Sequence, residues 1–144
     1  MSTNLSRILP PENIVLDLDV SSKNRVFEQA GLIFENNCGI PRSLVTENLL
    51  ARESMGSTGL GYGVAVPHGR IEGLKIPYAA FVRLSTPIAF GSPDGKPVNL
   101  LFFLLIPFGG GVCFICLSPF EYRSNNEETM SNVVFFPSAL FLSK

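Results

Sequence analysis

Seven consecutive apolar residues, Leu100-Leu-Phe-Phe-Leu-Leu-Ile106, restrict the fold more than any other feature of the chain. A strand that is apolar on both faces is stable only where both faces are covered, as in the middle of a sheet packed between helices. Residues 14–18, 64–66 and 78–84 show shorter strand patterns, and residues 8–13 are expected to be an extended approach because Pro10 and Pro11 interrupt them. Together, these four strand patterns predict a central β-sheet.

Two helices are predicted before the glycine-rich stretch of the chain. Ser21 or Ser22 can cap a helix that runs to about Asn36, and Gly39 and Pro41 end it. A second helix is expected from about Arg42 to Met55. The apolar positions expected to face the core are Val26, Phe27, Ala30, Ile33 and Phe34 in the first helix and Leu44, Val45, Leu49 and Leu50 in the second. Helices that alternate with buried strands indicate an α/β fold in one domain.

A membrane-spanning alternative exists for residues 98–117, which contain no charge. Pro107 and Gly109-Gly-Gly111 lie in the middle of this segment and disfavour a spanning helix, so a buried strand followed by a loop is the better interpretation. The polar amino terminus lacks the apolar core of a signal peptide. We therefore expect a cytoplasmic protein without stable membrane insertion.

The charge and the cysteine content of the chain disfavour two classes of function, nucleic-acid binding and a metal or redox site. The formal net charge is −1 and no cluster of Lys or Arg occurs, which disfavours nucleic acid as a partner. Cys113 and Cys116 have CxxC spacing, but a zinc site would need two more ligands, and only Cys38 and the single histidine are of similar kind. A metal or redox site is therefore the weaker interpretation, and no metal site is predicted.

His68 is the only histidine and the main candidate for chemistry. A neutral imidazole can act as a nucleophile near neutral pH, although a lone histidine is more often a packing or surface residue. Its surroundings favour a functional role. Residues 56–63 contain four glycines, and glycine-rich turns expose peptide N–H groups that can bind a phosphate. The loop by itself could equally be only a tight turn.

Three side chains near this loop are candidate anion ligands. Ser57 and Thr58 offer hydroxyl donors, and Arg52 lies 16 positions before His68, near the end of the second predicted helix. A guanidinium in that place can stabilise charge on a transferring phosphoryl group. The alternative is a solvated arginine at the helix end, or a surface ion pair with neighbouring Glu53.

Together these motifs resemble the active-site region of the fructose/mannitol-type enzyme IIA family, components of the bacterial phosphoenolpyruvate-dependent phosphotransferase system (PTS). The resemblance rests on Arg52-Glu53, Ser57-Thr-Gly-Leu-Gly61 and Gly63-Val-Ala-Val-Pro-His68-Gly69. It covers about residues 6–107. The opening motif Ile8-Leu-Pro-Pro-Glu-Asn-Ile14 and residues 67–84 are most similar to the nitrogen-regulatory branch.

The resemblance implies a mixed β-sheet flanked by helices in α/β/α layers. It implies that His68 accepts a phosphoryl group from an HPr-like phosphocarrier protein and that Arg52 is the active-site arginine. The residues implied to surround the phosphate are Ser57, Thr58, Gly59, Gly61 and Gly69. Downstream partners would be a IIB domain in the sugar branch, or targets such as a potassium transporter or a kinase in the regulatory branch. No metal, nucleotide or other cofactor is implied.

The tail after Pro107 departs from the family pattern. The family continues with a second active-site histidine and two helices, whereas residues 108–144 contain no histidine and show no helical period. A shifted reading frame is the favoured explanation, and a divergent tail is the alternative. Loss of the helices would leave one sheet face uncovered around residues 100–106. Three functions stay open: a phosphoryl carrier, a binding module independent of phosphorylation, and an impaired or membrane-associated fragment.

Overall fold

A computed structural model describes residues 5–108 of the chain. In chain order the elements are α1 (Leu5–Ile8), a 3₁₀ turn (Pro11–Asn13), β1 (Ile14–Leu18), α2 (Lys23–Cys38), α3 (Arg42–Ser54), β2 (Gly59–Gly61), β3 (Val64–Ala65), β4 (His68–Ile71), β5 (Tyr78–Ile88) and β6 (Val98–Pro107). The expectations for the tail beyond residue 108, including the CxxC pair and the lost helices, lie outside the described residues. The domain boundary at residue 107 therefore stays a prediction.

The six strands form one mixed sheet in the order β1-β5-β6-β3-β2, with β4 also paired to β6. Strand β6 is antiparallel to β5 and parallel to both β3 and β4. The predicted mixed sheet flanked by helices is confirmed, and the apolar run forms its central strand. The membrane-spanning interpretation is accordingly wrong for residues 98–107. None of the helices within residues 5–108 is long and apolar enough to cross a bilayer.

Helices α2 and α3 cover one face of the sheet. The Ser22 hydroxyl caps α2 by accepting a hydrogen bond from the Arg25 N–H (3.3 Å), and Gly39 ends the helix in the left-handed conformation (φ 72°). The apolar stripe of α2 is buried as predicted, against Val45 and Leu49 of α3 and the facing strands, except that Ile33 is only partly buried. Leu44 is 37% exposed, so its predicted inward position is wrong. Val45 and Leu49, one turn apart, define the buried stripe, and Leu44 lies about 100° from Val45 around the helix.

The opposite sheet face has a smaller cluster of Ile8, Ala79, Leu104 and Ile106. Its first member belongs to α1, so the expected extended approach from Ile8 is wrong. The chain turns there because burying Ile8 is favourable, and Pro11 presets the first residue of the 3₁₀ turn. Of the apolar side chains on this face, those of Leu104 and Ile106 are buried, whereas Ile14 and Leu16 of β1 are exposed.

The segment around the candidate site is more ordered than the sequence indicates. The predicted loop 56–63 contains the short strand β2, which pairs with β3. The chain also does not leave the sheet at His68: residues His68–Ile71 form β4 and pair with Leu104 to Pro107 of β6. Strand β4 leaves no local pattern because its partner β6 is distant in sequence. Strand β2 pairs with the neighbouring β3 and, at three residues, is too short to show a strand period.

Candidate functional site

The structure brings His68 and Arg52 together. His68 is the first residue of β4, where its backbone pairs with Leu104, and it is only 5% exposed. Arg52 lies in the last turn of α3, and its Nε–H donates a hydrogen bond to His68 Nε2 (3.3 Å). A second donor of the same guanidinium, Nη1, binds the Gly56 carbonyl oxygen (2.9 Å). Arg52 is thus anchored at both the imidazole and the start of the glycine-rich loop.

The hydrogen bonds of His68 define its tautomer. Nδ1 lies 2.9 Å from the Val66 carbonyl oxygen, which can only accept, so Nδ1 carries the proton. Nε2 accepts from Arg52 and is therefore the unprotonated nitrogen. A neutral imidazole with its lone pair on Nε2 is the nucleophilic form of histidine. The unprotonated Nε2 therefore lies beside the Arg52 guanidinium.

Gly69 lies where α3 and β4 pack against each other. A Cβ atom on Gly69 would lie 3.4 Å from the Cβ of Asn48, which is one helical turn before Arg52. This is an ordinary van der Waals distance, so a Cβ atom would just fit at this position. Gly69 therefore marks the packing contact between the two elements that carry Arg52 and His68.

Ser57, Thr58 and Gly59 form a wall whose donors are used within the protein. The Ser57 hydroxyl donates to the Phe90 carbonyl oxygen (3.1 Å) and accepts from the Gly59 N–H (3.2 Å). The Thr58 hydroxyl donates to a carboxylate oxygen of Glu53 (2.6 Å). These bonds fix the shape of residues 57–59 beside the Arg52 anchor on Gly56.

Gly61 lies at the tip of the glycine-rich segment, beside Asp94. A Cβ on Gly61 would lie 3.3 Å from Asp94 Oδ2, the atom that accepts a hydrogen bond from the Tyr62 N–H (2.9 Å). Tyr62 is left-handed (φ 55°), an unusual conformation for a residue with a side chain. The hydrogen bond from Tyr62, followed by that from the Lys96 N–H, lowers the pKa of the Asp94 carboxyl.

Glu53 is the residue that sequence reasoning misjudged. The suggested surface ion pair between Arg52 and Glu53 is wrong: Glu53 is buried and pairs with Lys23 (2.6 Å), 30 positions away at the start of α2. Consecutive helical residues point about 100° apart, so Arg52 faces the histidine while Glu53 faces the loop and α2. Within the described part of the chain, no cluster of three or more His, Cys, Asp or Glu residues could hold a metal.

Comparison with known proteins identifies the family of the chain and agrees with its fold. The family model described as "Phosphoenolpyruvate-dependent sugar phosphotransferase system, EIIA 2" matches residues 7–130. The "Nitrogen regulatory protein" of Pseudomonas aeruginosa is 42% identical over 104 residues, which are 72% of this chain and 68% of that protein. Its counterpart in Bradyrhizobium diazoefficiens is 40% identical over 107 residues, 74% of this chain and 70% of the relative.

Solved structures give the same assignment. The nitrogen regulatory protein IIA-Ntr from Neisseria meningitidis superposes with a TM-score of 0.74 at 41% identity, covering 95% of this chain and 96% of that one. The mannitol IIA of Escherichia coli superposes with a TM-score of 0.61 at 21% identity over 85% and 87% of the two chains, which shows the fold alone. The mixed sheet of this chain is thus the fold of the nitrogen regulatory protein IIA-Ntr. The chain belongs to the type-2 EIIA family of the PTS, and its nitrogen-regulatory members are among its relatives.

Proposed function

We propose that the chain is a phosphoryl carrier in which His68 Nε2 accepts a phosphoryl group from a phosphohistidine of an HPr-like protein. The observation that carries the proposal is the hydrogen-bonded tautomer: Val66 binds Nδ1–H, and Nε2 faces the Arg52 guanidinium. The family membership of the chain supports the same chemistry. The carrier protein and phosphoenolpyruvate would share its compartment, the cytoplasm.

The transfer uses Arg52 and the Val66 carbonyl, both hydrogen-bonded to His68, in turn. The Nε2 lone pair forms the new P–N bond as the bond to the donor imidazole breaks, and the electron pair of that bond leaves with the donor ring. Arg52 moves its N–H groups from Nε2 to the phosphoryl oxygens, where they stabilise the charge of the transition state. The Nδ1 proton stays on the ring and its bond to the Val66 carbonyl strengthens, because phosphorylation at Nε2 makes the ring positively charged.

The glycine-rich segment completes the proposed phosphate environment. We propose that the backbone of Gly59, Gly61 and Gly69 borders the phosphoryl group, with the Gly59 N–H itself already bonded to the Ser57 hydroxyl. Ser57 and Thr58 contribute mainly by shaping the loop, since their hydroxyls are already bonded to Phe90 and Glu53. Burial of His68 would also keep water from the phosphohistidine and slow its hydrolysis.

Labelling the protein with phosphoenolpyruvate and its upstream carriers tests this function. Wild-type protein should acquire one acid-labile phosphate, and its ³¹P NMR signal should be that of an Nε2-linked phosphohistidine. His68→Ala should acquire none, and His68→Gln, which keeps a polar side chain of similar length, should also acquire none. Labelling that persists in either variant, or phosphate found on Nδ1, would contradict the proposal.

A regulatory role is the second candidate, favoured by relatives of 40–42% identity that are called nitrogen regulatory proteins. In this role the phosphorylation state of His68 controls binding to a target, such as a potassium transporter or a kinase, whereas the sugar branch would pass the group to a IIB domain. Target binding by phosphorylated wild-type protein, His68→Ala and His68→Asp should differ. Equal binding by all three would instead indicate a module that acts independently of phosphorylation.

A further inference from the structure

Glu53 has a buried carboxylate that the proposed transfer step does not use directly. Its side chain is 6% exposed, and its Oε1 pairs with Lys23 Nζ at 2.6 Å. Thr58 donates to the same carboxylate twice, through its hydroxyl (2.6 Å) and through its N–H (3.2 Å to each oxygen). A buried charge of this kind is tolerated only where cations and hydrogen-bond donors compensate it. Glu53 therefore strongly restrains the position of Thr58.

Thr58 is connected to the reactive imidazole by two further hydrogen bonds. The Thr58 carbonyl oxygen accepts from the Val66 N–H (3.0 Å), and the Val66 carbonyl oxygen accepts from His68 Nδ1–H (2.9 Å). The opposite ring nitrogen, Nε2, accepts from Arg52. The hydrogen bonds thus run from Glu53 through Thr58, Val66 and His68 to Arg52. Because Arg52 and Glu53 are adjacent in α3, they form a closed cycle that begins and ends on one turn of the helix.

Lys23 connects this cycle of hydrogen bonds to the rest of the fold. Besides its ion pair with Glu53, its Nζ donates to the Phe90 carbonyl oxygen (2.8 Å) and lies 4.1 Å from the centre of the Phe90 ring. The same carbonyl oxygen accepts from Ser57. Phe90 thus holds residue 57 directly, and the start of α2 holds residue 58 through Glu53.

We propose that Glu53 is a positioning residue that selects the Nδ1–H tautomer of His68 by holding Thr58, and through it the Val66 carbonyl. The tautomer of a histidine is determined by the partner of one ring nitrogen, so a displaced Val66 carbonyl would allow the proton to move to Nε2. A ring protonated at Nε2 cannot attack phosphorus from that atom. For its catalytic consequence the inference rests on the proposed function, whereas the tautomer is measurable without any phosphoryl transfer.

The single histidine makes the tautomer accessible to measurement. In tag-free, ¹⁵N-labelled protein, two-bond ¹H–¹⁵N correlations of one imidazole report which ring nitrogen carries the proton. Wild-type protein should show the Nδ1–H form. Glu53→Gln should show a lower Nδ1–H fraction and phosphorylate at least about 10-fold more slowly at saturating donor, with an unchanged KM for the phosphorylated carrier.

Two additional variants separate positioning from folding. Glu53→Gln leaves Lys23 without its counter-charge, so the double variant Glu53→Gln with Lys23→Met removes both charges and avoids an unpaired one. Thr58→Val removes the hydroxyl that donates to Glu53 at nearly constant volume. The Nδ1–H fraction should fall in both. Glu28→Gln, which breaks the exposed pair with Arg25, is the matched control and should leave the tautomer unchanged.

The results distinguish the two proposals. If the folded double variant or folded Thr58→Val kept the Nδ1–H fraction of wild-type protein, the role of Glu53 would be overturned. An Nε2–H tautomer in wild-type protein would also overturn it. Failure of wild-type protein to be labelled, with the tautomer responding as expected, would instead overturn the proposed function and leave the positioning role intact.

Discussion

Arg52 Nε lies 3.3 Å from His68 Nε2 and donates a hydrogen bond to it, while Nη1 of the same guanidinium binds the Gly56 carbonyl. One side chain therefore contacts the imidazole and the beginning of the glycine-rich loop at the same time. Such a two-point contact depends on the fixed fork of a guanidinium, which a lysine ammonium does not have.

Arg52→Lys should lower the rate of phosphorylation by about 100-fold, the effect of losing a preorganised donor to a developing anion. Folding should be retained, because Arg52 is half-buried and its hydrogen bonds lie at the edge of the core. Rapid-quench labelling gives the rate, and thermal unfolding reports the fold. Arg42→Lys, at the exposed start of α3, is the control. A rate within about twofold of wild type would show that Arg52 does not contact the transferring group.

Ionisation of Asp94 should make the free energy of unfolding depend on pH in the acid range. The hydrogen bonds from the Tyr62 and Lys96 N–H groups lower the pKa of Asp94 in the folded protein below its value of 3.8 in the unfolded chain. Its contribution is therefore complete well above pH 3.8 and is lost as the pH falls through the folded pKa. Asp94→Asn should be less stable than wild type at pH 7 and equally stable once the carboxyl is protonated.

Urea unfolding of both proteins from pH 7 to pH 2 measures this difference. Glu47→Gln, on the exposed surface of α3, controls for the loss of one negative charge. A constant difference between wild type and Asp94→Asn across the whole pH range would show that ionisation of Asp94 does not contribute.

Gly59→Ala should destabilise the protein by about 1–3 kcal/mol through overpacking. A Cβ on Gly59 would lie 3.0 Å from the Cα and Cβ of Ser92 and would also collide with its hydroxyl. The φ of Gly59 is not positive, so the expected effect is steric. Adding Ser92→Gly should recover part of the loss in urea unfolding, since it removes two of the three contacts. No recovery would place the strain elsewhere in β2.

Ser92→Ala should leave the free energy of unfolding unchanged or raise it by about 1 kcal/mol. Ser92 Oγ is the one buried side-chain polar atom of residues 5–108 without a hydrogen-bond partner, and an unsatisfied buried hydroxyl is destabilising. Ser85→Ala is the contrasting variant, because the Ser85 hydroxyl donates to the Leu18 carbonyl oxygen (3.3 Å). A loss of more than about 1 kcal/mol in Ser92→Ala would indicate that its hydroxyl does have a partner.

The sequence predicts well those helices and strands whose ends and apolar spacing are determined by neighbouring residues. Strand β1 has the predicted bounds, and α2 begins after its predicted cap Ser22 and ends at its predicted stop Gly39. The spacing of apolar side chains and the caps are properties of neighbouring residues, so they are legible without tertiary information. Residues 100–106 identify the central strand because few other environments tolerate such a run.

The features that were missed depend on partners distant in the chain. Strand β4 exists because residues from His68 onward pair with β6, and no periodicity in four residues indicates that pairing. The ion pair of Glu53 with Lys23 and the hydrogen bond of Asp94 with Tyr62 span 30 and 32 positions. The resemblance to a family identifies His68 and Arg52 as candidates but contains no information on which hydroxyls the fold has already engaged.

The placement of β6 has a consequence for biosynthesis. It is the last strand of residues 5–108 to be made, yet β3, β4 and β5 all hydrogen-bond to it. Until residue 107 has left the ribosome, these strands lack their partner, and His68 has no strand against which to align. The nascent chain therefore cannot complete its sheet before β6 is made. Maturation of the site is therefore a late event, and a chain that stops before residue 98 would keep only the β1–β5 and β2–β3 pairings of the sheet.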